Sequence, residues 1–217
     1  MAIPNTERER SLYSARIPIY KGFFGYRVAL IHEDNKDIFL NVKTVDDLRS
    51  YSAGLKYDWF DANVLKSNAL PVNNASSYQG LFLMLSAKRV DYFPRSVVEA
   101  YQEVEQHPEL PLLIDPHLLV HYPMPFYFFA NKESTALISA VEKGLKAIKE
   151  NGAFDALFKQ HFGKHIIQAN LAARQVVCLK NPLLSSRIPA QDREFLLDFP
   201  LDVTVRRTVE PRKCSRR

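Results

Sequence analysis

Glycine is scarce in this chain, at seven of 217 residues. Neither GxGxxG nor GxxxxGK[ST] occurs, so the backbone cradles of dinucleotide and P-loop phosphate sites have no support. A GxSxG elbow is also lacking, which removes the usual signature of an α/β-hydrolase nucleophile. There are two cysteines, Cys178 in the apolar run VVCL and Cys214 in a basic tail. They form neither a CxxC nor a disulfide framework, and Cys178 reads as a buried strand residue. No stretch approaches the roughly 20 apolar residues that cross a bilayer, because the longest apolar blocks are broken by Pro and Lys. The start, MAIPNTERERS, is charged and has no apolar export-signal stretch. As written, the chain is therefore expected to be cytoplasmic, with no direct membrane insertion.

What is present is an ordinary globular composition: 47% hydrophobic, 24% charged and 12% aromatic residues. That is enough apolar material for a real core. The formal net charge of +5 is unevenly placed. Residues 202–217 carry six Arg/Lys and two acids, leaving 23 basic against 22 acidic residues in 1–201. The basicity belongs to a tail, 201–217, expected to be disordered. With no finger, RNP or helix-turn-helix signature beside it, nucleic acid is not an expected partner.

Strand-like and helix-like segments alternate from residue 28 to 162. VALIH (28–32) suits a buried strand, and Thr44 with Asp47 forms a capping box for KTVDDLRS. AGLKYDW (53–59) reads as a strand and DANVLKSN (61–68) as a helix with Asp61 as N-cap. Ser76 or Ser77 caps SYQGLFLMLSAKR. VDYF (90–93) is a strand, after which Pro94 and Ser96 open VVEAYQEVEQ, with Ser96 and Glu99 as a second capping box. LPLLI (110–114), HLLVHY (117–122) and FYFFA (126–130) are strands. Residues 133–151 form the longest helix, with Leu137, Ala140, Val141, Gly144, Leu145 and Ile148 spaced for burial. Gly152 stops it, and FDALFKQHF (154–162) begins another. This pattern argues an α/β fold with largely parallel sheets, whose ligands bind at the carboxyl ends of strands.

His161 and His165 have metal-like spacing near a helix end, but Gly163 is expected to break the helix between them. His117 and His121 share a strand face about 13 Å apart, too far for one metal. No Glu stands where HExxH requires it, so neither a metal nor a cofactor is expected. The acidic pairs Asp46/Asp47 and Glu103/Glu105 read as caps and solvated helix faces. Most of the aromatics read as core.

The segments VKTVDDL, AGLKYDWFDANVL, SSYQGLFLMLSAKRVDYFPRS and LLVHYPMPFYFFANKESTALISAVEKGLKAIKENGAFDALFKQHFG carry more. In order and spacing they resemble the solute-binding proteins of polar amino-acid ABC transporters, the type 2 periplasmic-binding-protein fold, over roughly residues 8–163. The resemblance implies two α/β lobes: 53–124 as lobe two, and 1–52 with 125–200 as lobe one. Crossover strands would lie near 28–32 and 126–131. The family's opening export signal and strand–helix–strand block have no counterpart, so lobe one looks incomplete at its N-terminus. The extension 165–200 is expected to pack on lobe one.

By the same resemblance, Arg8 in TERER (with Arg10 as the alternative) matches the arginine that clamps a ligand carboxylate, although both also fit a solvated charge run. Tyr57, Asp58 and Trp59 occupy the place of a ligand loop. Ser76, Ser77 and Tyr78 begin the helix that points at the cleft. Trp59 could stack on a ligand or serve structurally. Arg95 stands about where amino-acid binders carry an acid for the ligand ammonium, which would invert the charge preference toward an anion or carbonyl; a surface helix-start role is the alternative. The implied function is the substrate-binding component of an ABC-type uptake system. It would bind a small polar solute, amino-acid-like or another organic anion, without catalysis, with a membrane permease as partner and the periplasm as location. A sensor or interaction domain, or a degenerate remnant of the same fold, is the alternative; an enzyme using this fold or the His pairs ranks last.

Overall fold

The computed structural model describes residues 1–184; the expectations for 185–200 and for the basic tail lie outside the described residues. Helix α1 (Thr6–Ser11) leads into β1 (Leu12–Ala15), which pairs antiparallel with β8 (Phe128–Asn131). Between them the chain builds most of its core around β2 (Tyr26–His32), every residue of which is buried. The apolar run at 28–32 sets that position, because a strand with neighbours on both edges and layers on both faces has no solvent side.

On one edge β2 pairs antiparallel with β5 (Phe93–Ser96), from Arg27↔Ser96 to Leu30↔Phe93. On the other it pairs antiparallel with β7 (Leu118–His121) and, further along, β6 (Leu112–Ile114). Strand β9 (Gln175–Cys178) adds parallel to β7. Beside this sheet β3 (Ala53–Lys56) lies parallel to β4 (Val72–Ala75), and a parallel bridge joins Ala53 to Tyr92. Helices α2 (Val45–Leu48), α3 (Phe60–Ser67), α4 (Tyr78–Ser86) and α5 (Ala100–Glu105) cover these strands. Helices α6 (Thr135–Glu150) and α7 (Ala153–Ala169) pack on each other, and α6 also packs on β1 and β8.

Several local expectations hold. Thr44 and Asp47 form the reciprocal capping box of α2. Ser77 caps α4 by accepting from the Gly80 N–H at 3.0 Å. Gly152 takes φ +80° between α6 and α7, a conformation open to glycine without strain.

Others are corrected. The sheets are mixed rather than largely parallel, because all three ladders of β2 are antiparallel. Residues 93–96 continue as strand instead of opening a helix. Pro94 is tolerated there because β5 is the end strand of its sheet. Helix α5 starts at Ala100, with Glu99 at its N-cap and no side-chain cap bond. Trp59, not Asp61, is the N-cap residue of α3. Helix α7 runs through Gly163 to Ala169. The apolar stripe of α6 is only partly covered: Val141, Leu145 and Ile148 are half-buried beside the buried Ile138, whereas Ala140 and Gly144 are exposed and Leu137 is 59% exposed. Cys178 is half-buried and not a free thiol.

The segment after α7 also goes elsewhere than expected. It returns to the central sheet as β9, because its apolar QVVC strand satisfies the open edge of β7. Arg174 fastens the return. Its guanidinium donates to the Ala169 carbonyl at 2.7 Å, to the Leu118 carbonyl at 3.1 Å and to the Asp115 carbonyl.

Candidate functional site

Strands β3, β4 and β5 run parallel or nearly so, which brings their carboxyl ends to one edge. Ligands of open α/β sheets gather at such an edge because loops and helix N-termini converge there. Here the loop after β3 supplies Tyr57, Asp58 and Trp59; the turn after β4 supplies Ser76 and Ser77, with Tyr78 opening α4; and β5 itself supplies Arg95.

Trp59, Tyr78 and Arg95 meet. The Trp59 ring lies 6.2 Å from Tyr78 and is stacked on Phe93 at 6.0 Å, centroid to centroid. The Arg95 guanidinium sits 5.0 Å from the Trp59 centroid and 5.7 Å from that of Tyr78. Its charge is answered within the protein. Nε donates to Glu103 Oε2 at 2.7 Å, Nη2 to Glu103 Oε1 at 2.5 Å, and Glu99 stands 3.1 Å away. The Tyr78 hydroxyl donates to the same Glu103 at 2.6 Å. Burial, followed by that bond to Glu103, pushes the Tyr78 phenol well above its ordinary range, so it stays a donor. Burial works against the charge on Arg95, yet Glu103 and Glu99 outweigh it and hold the guanidinium protonated.

The other expected residues are placed differently. Ser77 is already engaged as the α4 cap, and Ser76 is exposed beside it. Tyr57 is 65% exposed, and Asp58 pairs with Lys56 at 2.9 Å. Arg8 is exposed on α1, where it donates to the Ile3 carbonyl at 2.9 Å; among the described residues it makes no contact with the cluster.

Two polar features were not legible from the sequence. Glu103, read as solvated, is 7% exposed and anchors the cluster; an acid on the inner stripe of a short helix was the available signal. The second is a buried set at the start of β2. Arg27 donates to the Tyr122 hydroxyl at 2.8 Å, pairs with Asp61 at 2.9 Å and reaches Met124 Sδ at 3.3 Å, while Tyr122 also bonds Asp61. An arginine inside the apolar run YRVALIH was its only sign.

A cavity of about 340 Å³ lies away from this edge, lined by Ile19, Tyr20, Phe154, Leu157, Phe158 and Phe162, with His161 beside them. It is wide and apolar, without the converging polar groups that orient a polar ligand. The polar cluster is therefore the candidate site. Among the described residues, no group of three or more His, Cys, Asp or Glu side chains is placed to hold a metal, and no helix is long and apolar enough to cross a membrane.

No protein-family model and no curated protein sequence matches the chain. Solved structures do match. An ancestral arginine-binding protein bound to glutamine is 20% identical, with a TM-score of 0.52, over 75% of this chain and 68% of that one. The ancestral arginine-binding protein bound to arginine is 19% identical, with a TM-score of 0.50, over 74% and 69%. An arginine 3rd transport system periplasmic binding protein from Legionella pneumophila is 18% identical, with a TM-score of 0.50, over 75% and 70%. The fold of this chain is therefore the mixed α/β periplasmic-binding-protein fold of amino-acid-binding proteins, and the chain spans about two thirds of their length.

Proposed function

We propose that this chain is a solute-binding module that holds a small polar solute between two lobes and does not transform it. The two bodies that would approach each other are the central sheet with its helices, 26–121 with β9, and the layer of β1, β8, α6 and α7; the expected split of 53–124 from 1–52 with 125–200 gives way because β2 is the middle strand between β5 and β7. The observation that carries this reading is the convergence of Trp59, Tyr78 and Arg95 at the carboxyl ends of three strands. Similarity to proteins that bind arginine and glutamine supports an amino-acid-like or related organic solute. The partner would be the permease of an ABC-type uptake system, and the place the periplasm, as for the Legionella protein.

In this reading Trp59 and Tyr78 offer ring faces to the solute, Tyr57 and Asp58 border it, and the α4 start at Ser76 and Ser77 faces its polar end. Arg8 would join only on closure, from the other lobe. Arg95 stands in the pose where a carboxylate would receive an α-ammonium, and with its charge answered by Glu103 and Glu99 it leaves no acceptor free there.

Calorimetry and thermal shift against polar amino acids and small organic acids test the function. A solute bound at micromolar affinity and weakened by Trp59→Ala supports it. A panel without any stabilising ligand sinks it, because tight binding must raise stability by mass action, and would favour an interaction domain instead.

A further inference from the structure

The proposed solute site already contains a cation. Three rings surround the Arg95 guanidinium, with centroids 5.0 Å (Trp59), 5.2 Å (Phe93) and 5.7 Å (Tyr78) away. Two carboxylates pair with it, Glu103 through a two-pronged contact and Glu99 through a single one. Only 11% of the Arg95 side chain and 9% of the Glu103 side chain are exposed. Aromatic faces for the flat cation plus a carboxylate fork for its N–H edge are the contacts that best match the shape and charge of a guanidinium. The parts come from four elements: the α3 start, the α4 start, β5 and α5.

We propose that Trp59, Tyr78, Glu99 and Glu103 form a guanidinium-binding box whose resident occupant is Arg95, so that the cleft carries its own cation and refuses solutes that would place a free guanidinium or ammonium there. The exclusion rests on the reading of this edge as the solute site; the box stands on the contacts alone. Entry of a solute cation requires Arg95 to leave Glu103. Arg95 is tethered, so it competes at an effective concentration of the order of millimolar or above, and its displaced charge would need a new partner. The Tyr78 hydroxyl, bonded to Glu103 at 2.6 Å, holds the carboxylate in the orientation that the fork requires.

The box can be tested by emptying it. In Arg95→Ala the rings and carboxylates remain and the head group is gone. Methylguanidinium at about 10 mM is expected to raise the Tm of full-length Arg95→Ala by about 2–5 °C and to leave the wild type unchanged. Methylammonium, which lacks the planar fork, is expected to do less. Arg95→Ala/Glu103→Gln is expected to lose the response. Equal responses in wild type and Arg95→Ala, or none in folded Arg95→Ala, overturn the box. Should Arg95→Ala fail to fold alone, refolding yield gives the answer: recovery with methylguanidinium and not with methylammonium supports the box, and recovery with neither overturns it. Arginine binding to the wild type that survives Arg95→Ala unchanged would overturn the exclusion. Failure of the solute panel would refute the binding function while leaving the methylguanidinium result intact, so the two readings fall separately.

Discussion

Gly25 lies directly against the carbonyl of Tyr122. A Cβ on Gly25 would stand 2.2 Å from that oxygen, and the Tyr122 N–H donates to the Gly25 carbonyl at 3.2 Å. The contact sits where β2 enters and β7 leaves the central sheet, one residue from the Tyr26↔His121 pair. Gly25→Ala must push these two strands apart at the root. We expect a loss of about 3 kcal/mol or more, read as a lower urea midpoint; a change under about 1 kcal/mol would show that the two segments are not held so closely.

The buried Arg27–Asp61–Tyr122 set behaves as a unit. Asp61→Ala strands a guanidinium that is 5% exposed and is expected to destabilise the protein by about 3–5 kcal/mol. Arg27→Met/Asp61→Leu removes both charges and is expected to recover most of that loss. Chemical denaturation of the two variants gives the comparison, and a double variant no more stable than Asp61→Ala would disprove the coupling.

Acid should weaken the fold through His121. Burial pushes its imidazole from the ordinary 6.5 down to about 4, so the unfolded chain takes up a proton that the folded chain resists. The contribution is fully present above pH 6.5 and drains away as pH falls from 6.5 toward 4, by about 1–3 kcal/mol. Denaturation midpoints measured over that window should flatten in His121→Phe, which keeps a ring against Tyr26; an unchanged slope would assign the acid sensitivity elsewhere.

Leu137 lies on the α6 stripe that periodicity marks for burial, yet it is 59% exposed. Leu137→Ser is therefore expected to shift stability by no more than about 0.5 kcal/mol in this chain, against roughly 2 kcal/mol or more were the leucine packed in a core. Thermal unfolding separates the two.

Elements that local chemistry decides are legible in the sequence. Thr44 with Asp47 and Ser77 before Gly80 are caps set by neighbours three residues away, and 28–32 is apolar enough to be a buried strand in any α/β arrangement. Elements that distant partners decide are not. Asp61 has the chemistry of a cap, but Arg27 and Tyr122, 34 and 61 residues away in the chain, draw its carboxylate inward. Glu103 could not be told from a solvated acid until β5 carried Arg95 opposite it. Period alone could not say whether another layer covers the stripe of α6. Of the candidate residues, Trp59, Tyr78 and Arg95 converge because three strand ends do, a consequence of topology that segment order foreshadowed. Arg8 shares no contact with them.

The β9 return gives the fold a mechanical property. Among the described residues, the layer of β1, β8, α6 and α7 is joined to the central sheet by three covalent spans: 16–25, 122–127 and 170–174. Two attachments leave a body free to swing like a door about the line through them, whereas a third one, clamped by Arg174, acts as a stay. Relative motion of the two bodies must then proceed by sliding of packed faces or by flexing within α7, and a joint so braced trades amplitude for stiffness.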